Sequence, residues 1–77
     1  MEEFKPGQKF SYLCLENGRV FRVGFSAHHY STTVWVRSIT CIMEAGEMAG
    51  VAWFVVEFED DVIPPVKVNG KYVVEIS

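Results

Sequence analysis

Residues 9–26 read KFSYLCLENGRVFRVGFS, and the fold class turns on this stretch. Two runs of strand-favouring residues meet at Asn17-Gly18. Asn-Gly accepts the positive φ of a two-residue type I′ turn, which predicts a β-hairpin of Lys9–Glu16 against Arg19–Ser26. In that register the paired positions sum to 35. One face then carries Phe10 opposite Phe25, Tyr12 opposite Val23 and Cys14 opposite Phe21, and every member is apolar or aromatic. The other face carries Leu15–Val20, Leu13–Arg22 and Ser11–Gly24, with Glu16 and Arg19 as an opposite-charge pair beside the turn. A shift of one residue would invert both faces, so the register carries the whole assignment.

The same signals run outward from the hairpin. Phe4-Lys5-Pro6-Gly7-Gln8 predicts an opening turn. Ala27 to Ser31 reads as a polar-aromatic loop. Thr32 to Met43 is a long β-branched run in which Val34 and Val36 share one face while Ile39, Cys41 and Met43 share the other. A bulge near Arg37-Ser38 reconciles the two phases. Glu44 to Gly50 reads as a loop with room for one helical turn. Val51 to Glu59 predicts a central strand with Ala52, Phe54, Val56 and Phe58 on its inner face. Asp60 to Pro65 interrupts the ladder, since proline has no N–H to donate. Val66–Val68 and Lys71–Ile76 flank a second Asn-Gly at Asn69-Gly70, with Tyr72, Val74 and Ile76 alternating inward, and this predicts a second tight turn.

Composition agrees. Val, Ile, Phe, Trp, Tyr and Thr total 30 of 77 residues, whereas Ala and Leu total six. β-Branched and aromatic side chains suit a pleated, half-buried surface. The expected fold is all-β with little or no helix. It is a small antiparallel barrel, SH3-like or OB-like, or a strongly bent sheet of five to six strands, formed as one domain over residues 1–77.

The chemistry of most enzymes is missing from the pattern. His28 and His29 are adjacent, so on an extended chain they point to opposite sides and make a poor chelate. There is no CxxC, no HExxH and no glycine-rich phosphate loop, so neither a metal nor a cofactor is expected. Cys14 and Cys41 sit in apolar runs, where burial keeps thiols inert. Glu57, Glu59, Asp60 and Asp61 read as a solvated acidic rim, without the loop motif that calcium needs. The chain is therefore expected not to be an enzyme. The longest apolar run, Val51 to Val56, is far below the roughly 20 residues of a membrane-spanning helix. The acidic Met1-Glu2-Glu3 start resembles no secretory leader, and the expected location is the cytoplasm.

Formal net charge is −3, divided as +2 over residues 1–43 and −5 over residues 44–77. This is a poor endowment for binding duplex nucleic acid. Apolar residues fall on both faces of the strands: Leu13, Leu15, Val20, Trp35, Val51, Trp53 and Val55 all lie on second faces. That surplus predicts a binding or regulatory protein, an adaptor or inhibitor, that works through protein–protein contacts and self-associates as a homodimer. A second reading is a single-stranded nucleic-acid binder, with Trp35, Tyr30 and His29 stacking bases beside Arg22 and Arg37. A third is a small-ligand binder with Trp35 and Trp53 as an aromatic platform. The candidate binding residues are accordingly Trp35, Arg37, Tyr30, His29, Arg22, Trp53 and Leu13, bordered by the acidic rim.

Overall fold

The structure is a computed structural model that describes residues 4–15, 17–29, 31–43 and 52–75. They form six antiparallel strands, with no helix among the described residues: β1 (Lys9–Leu15), β2 (Val20–Arg22), β3 (Ser26–His29), β4 (Thr32–Met43), β5 (Ala52–Phe58) and β6 (Val66–Glu75). The strand order is β2-β1-β6-β5-β4-β3. Pairing of Lys9 with Thr40 and of Phe10 with Ile39 joins β1 to β4. Strands β1, β6, β5 and β4 thus close a four-stranded barrel, with β2 added to β1 and β3 to β4 at the seam where β1 meets β4.

The opening segment folds as expected. Gln8 N–H donates to the Lys5 carbonyl across Pro6-Gly7, and Gly7 N–H and the Gln8 carbonyl both bond to Cys41. This draws Phe4 over one end of the barrel. Its ring meets Phe10 and Phe54 edge-on, with centroids 5.7 Å and 5.9 Å away, and Phe10 meets Phe54 at 5.5 Å. Edge-to-face contact is the arrangement that the ring quadrupole prefers.

Strand β5 has the expected inner face: Ala52, Phe54, Val56 and Phe58 are all buried. It lies between β4 and β6. Strand β4 bends where its two phases require it, with a register shift between Val36 and Ser38 that lets Val34, Val36, Ile39 and Cys41 all face the core. A second shift, between Cys41 and Met43, was not expected. It turns Met43 outward, so the residue placed on the inner face of Ile39 and Cys41 is 56% exposed.

Three local expectations are corrected. The first hairpin pairs Tyr12 with Arg22, Leu13 with Phe21 and Cys14 with Val20, so paired positions sum to 34 rather than 35. Leu15 N–H donates to the Arg19 carbonyl and Gly18 N–H to the Leu15 carbonyl, leaving three positions between the strand ends. Gly18 has φ +86°, the left-handed residue of a three-residue hairpin loop. Asn-Gly therefore marked the hairpin, but the loop is one residue longer than the I′ turn, and Leu13 and Tyr12 exchange faces. Leu13 joins Phe21 in the core, while Tyr12 lies beside Arg22 on the outer face.

The second correction concerns the stretch after Arg22. Phe25 N–H donates to the Arg22 carbonyl, closing a turn at Val23-Gly24. The strand expected to run to Ser26 ends there, and Ser26 joins Ala27–His29, expected as part of a loop, in pairing with β4 as β3. The third concerns Asn69-Gly70, which is not a turn. Strand β6 runs straight through it, and Gly70 pairs with both Ala52 and Leu15. A Cβ at Gly70 would overlap the Leu13 Cδ1 methyl and stand 3.0 Å from Phe54 Cε1. The glycine is there for close approach across the core.

The expectations at Glu16, Glu44–Gly50, Val51 and Ile76, and for the side chains of Tyr72 and Val74, lie outside the described residues. Cys41 is buried, Cys14 is half-buried, and no disulfide joins them.

Candidate functional site

The inverted hairpin register builds a groove on the outer face of the barrel. Tyr12 and Arg22 are direct cross-strand partners, so their side chains emerge side by side. The Arg22–Phe25 turn then carries the Phe25 ring back toward Arg22 and leaves it 56% exposed. The Arg22 guanidinium carbon lies 5.2 Å from the Tyr12 ring centroid and 5.3 Å from that of Phe25. Both distances are within cation–π range. Ser11, Tyr12, Arg22, Val23 and Phe25 line an open groove of about 500 Å³. Among the described residues, no carboxylate forms an ion pair with Arg22.

Arg37 is in a different situation. Its guanidinium lies 3.9 Å from Glu57 Oε2 and 3.4 Å from Asp61 Oδ1, while the Ser38 hydroxyl donates to Glu57 Oε1 at 3.1 Å. The acidic rim therefore folds back on the cation expected to meet a ligand. At its far end, the Asp60 carboxylate accepts from Val62 N–H and its carbonyl from Ile63 N–H, which closes the turn before Pro64-Pro65. Arg19 is also engaged: it donates to the His28 carbonyl and stacks over the Phe21 ring, 4.8 Å from its centroid.

The expected site residues do not converge. Leu13 is 0% exposed and belongs to the core. Its assignment to a binding face followed from the two-residue loop and falls with it. Trp35, on β4 opposite Ser26, is 55% exposed. Trp53, on β5 opposite Met43, is 39% exposed. Glu59 N–H donates to the Trp35 carbonyl, so the two tryptophans stand six β5 residues apart, about 20 Å along the strand. They do not form one platform. Tyr30 and the side chain of His29 lie outside the described residues. Among the described members of the expected set, Arg22 alone lines the groove.

Tyr12 and Phe25 complete the groove: the two-residue turn placed Tyr12 in the core, and a strand continued past Arg22 placed Phe25 there. Gly24 carried the missing signal: a glycine inside a strand pattern often marks a bend or a break.

A second exposed surface lies on the outer face of β4, β5 and β6. Met43, Trp53 and Asn69 form one cross-strand row, and Thr40, Val55 and Lys67 the next. Lys9 joins the latter row by donating from Nζ to Thr40 Oγ1 at 2.8 Å. Ile42, Met43 and Trp53 are its exposed apolar members.

Among the described residues, no three His, Cys, Asp or Glu side chains gather as metal ligands, and no helix is long and apolar enough to cross a membrane. The chain matches no family model, and comparison with curated proteins and with solved structures finds no match.

Proposed function

We propose that this protein is a non-enzymatic binding module, a cytoplasmic regulator or adaptor that acts by engaging another protein. The Tyr12–Arg22–Phe25 cluster carries the reading. Two rings and a guanidinium face an open groove, and aromatic and arginine side chains dominate the centres of protein interfaces. Nucleic acid is the weaker alternative, because Arg37 is held by Glu57 and Asp61 and each phosphate contact needs a cation of its own. The aromatic-platform reading loses its support with the separation of Trp35 from Trp53.

The test is selection of peptides from a random displayed library on the immobilised protein, followed by mapping of the contacts by NMR. Selected peptides are expected to shift resonances of Tyr12, Arg22 and Phe25, and to lose affinity for Phe25→Ala. A library that yields no binder, or binders indifferent to Phe25, removes the reading.

Self-association is a second reading, supported by the outer face of Ile42, Met43 and Trp53. The next cross-strand row holds Lys9, Thr40, Val55 and Lys67, and Glu57 lies one row beyond it.

A further inference from the structure

The chemistry of the groove narrows the class of protein segment it accepts. The Arg22 guanidinium lies over the Tyr12 and Phe25 rings, with its carbon 5.2 Å and 5.3 Å from their centroids. Its N–H donors lie in the plane of the group and form a rigid fork. A planar fork of donors matches a carboxylate at two points, which a point charge cannot do. Within the described residues Arg37 has its carboxylates and Arg22 has none. The rest of the lining is the two rings, Val23 and Ser11, and the groove is open rather than enclosed. That shape suits a chain passing through it. Proline rings pack flat on aromatic faces, and an extended proline helix has no internal hydrogen bonds to give up.

We propose that the groove takes an extended, proline-containing segment of another protein and reads an acidic side chain on it through Arg22. This rests on the protein-recognition reading above. A polyanion fits less well, because the four carboxylates of Glu57, Glu59, Asp60 and Asp61 belong to the same small molecule, whose net charge is −3.

The test uses fluorescence anisotropy with four labelled probes of equal length: a Pro-Pro-Glu repeat, its Pro-Pro-Gln copy, a Gly-Ser-Glu copy and oligothymidylate. The Pro-Pro-Glu repeat is expected to bind best. The glutamine copy should bind about tenfold more weakly or worse, as expected for loss of a hydrogen bond to a charged group. Arg22→Gln should abolish the difference between these two, and Arg22→Lys should shrink it. Circular dichroism establishes that both variants fold. If either fails, Phe25→Ala replaces it and should weaken both proline peptides while leaving their ratio unchanged. Equal binding of the glutamate and glutamine repeats overturns the carboxylate assignment. Equal binding of the Gly-Ser-Glu copy overturns the proline preference. Oligothymidylate binding that exceeds both and is lost in Arg22→Gln hands the groove to nucleic acid. Failure of every probe overturns the proposal. Library peptides that are non-acidic but groove-bound would sink this proposal and leave protein recognition standing.

Discussion

Leu13 and Trp35 show how differently two large side chains of one small barrel are used. Leu13 is fully buried against Gly70 and Phe54, whereas Trp35 presents more than half its surface to solvent. Leu13→Ala should therefore cost about 2–5 kcal/mol, since a closed core collapses poorly around a cavity. A domain of this size has only about 3–5 kcal/mol in hand, so the variant should lose half or more of its stability, read as a sharply lowered urea midpoint by circular dichroism. Trp35→Ala should shift the urea midpoint little, and a large loss there would mean that the ring has a partner. Gly70→Ala tests the close approach directly. Its new methyl must displace Leu13 or Phe54, at about 1–3 kcal/mol, read from the same urea titration. Arg37→Ala should cost less than about 1 kcal/mol, because its ion pairs with Glu57 and Asp61 are largely solvated.

At the scale of elements, the three-residue loop after Leu15 sets what the first hairpin shows to solvent. Gly18→Ala places a Cβ at φ +86° and should destabilise by about 1–2 kcal/mol, measurable as a lowered urea midpoint. Had the loop been a two-residue turn, Gly18 would still need positive φ, so this substitution tests the loop and not its length. The length is tested by the cross-strand α-proton NOE to Arg22, which comes from Tyr12 in the observed register and would come from Leu13 with a two-residue turn. Elements whose pattern had one solution were legible. Strand β5 alternates strictly, and the phase conflict between Val36 and Ile39 in β4 admitted only a bulge. Elements whose signal had two solutions were not. Asn-Gly serves a two-residue turn, a three-residue loop, or a strand that needs a missing side chain, and the chain uses the second at Asn17-Gly18 and the third at Asn69-Gly70.

For the whole molecule, barrel closure absorbs part of the apolar surplus that composition implied. Leu13 enters the core and Leu15 packs against it, while Val20, Phe25, Trp35, Ile42, Met43 and Trp53 stay exposed. If the outer face of β4–β6 pairs with a second copy, sedimentation equilibrium should show a concentration-dependent dimer that Trp53→Lys dissociates. A wild-type monomer at every accessible concentration would dismiss that reading. The groove was hidden from the sequence because its members lie on two strands and a turn, and only the register brings Tyr12 beside Arg22. By itself the sequence determined an all-β chain, the inner face of β5, the bulge at Arg37 and the breaks at Pro6-Gly7 and Asp60–Pro65. These follow from side-chain alternation and from backbones that proline and glycine restrict or free locally. Tertiary structure decided the hairpin register, the unbroken course of β6 and thereby the groove. Either register is locally acceptable, and the choice is made by which face of β1 fills the closed core beside Phe54 and Phe58.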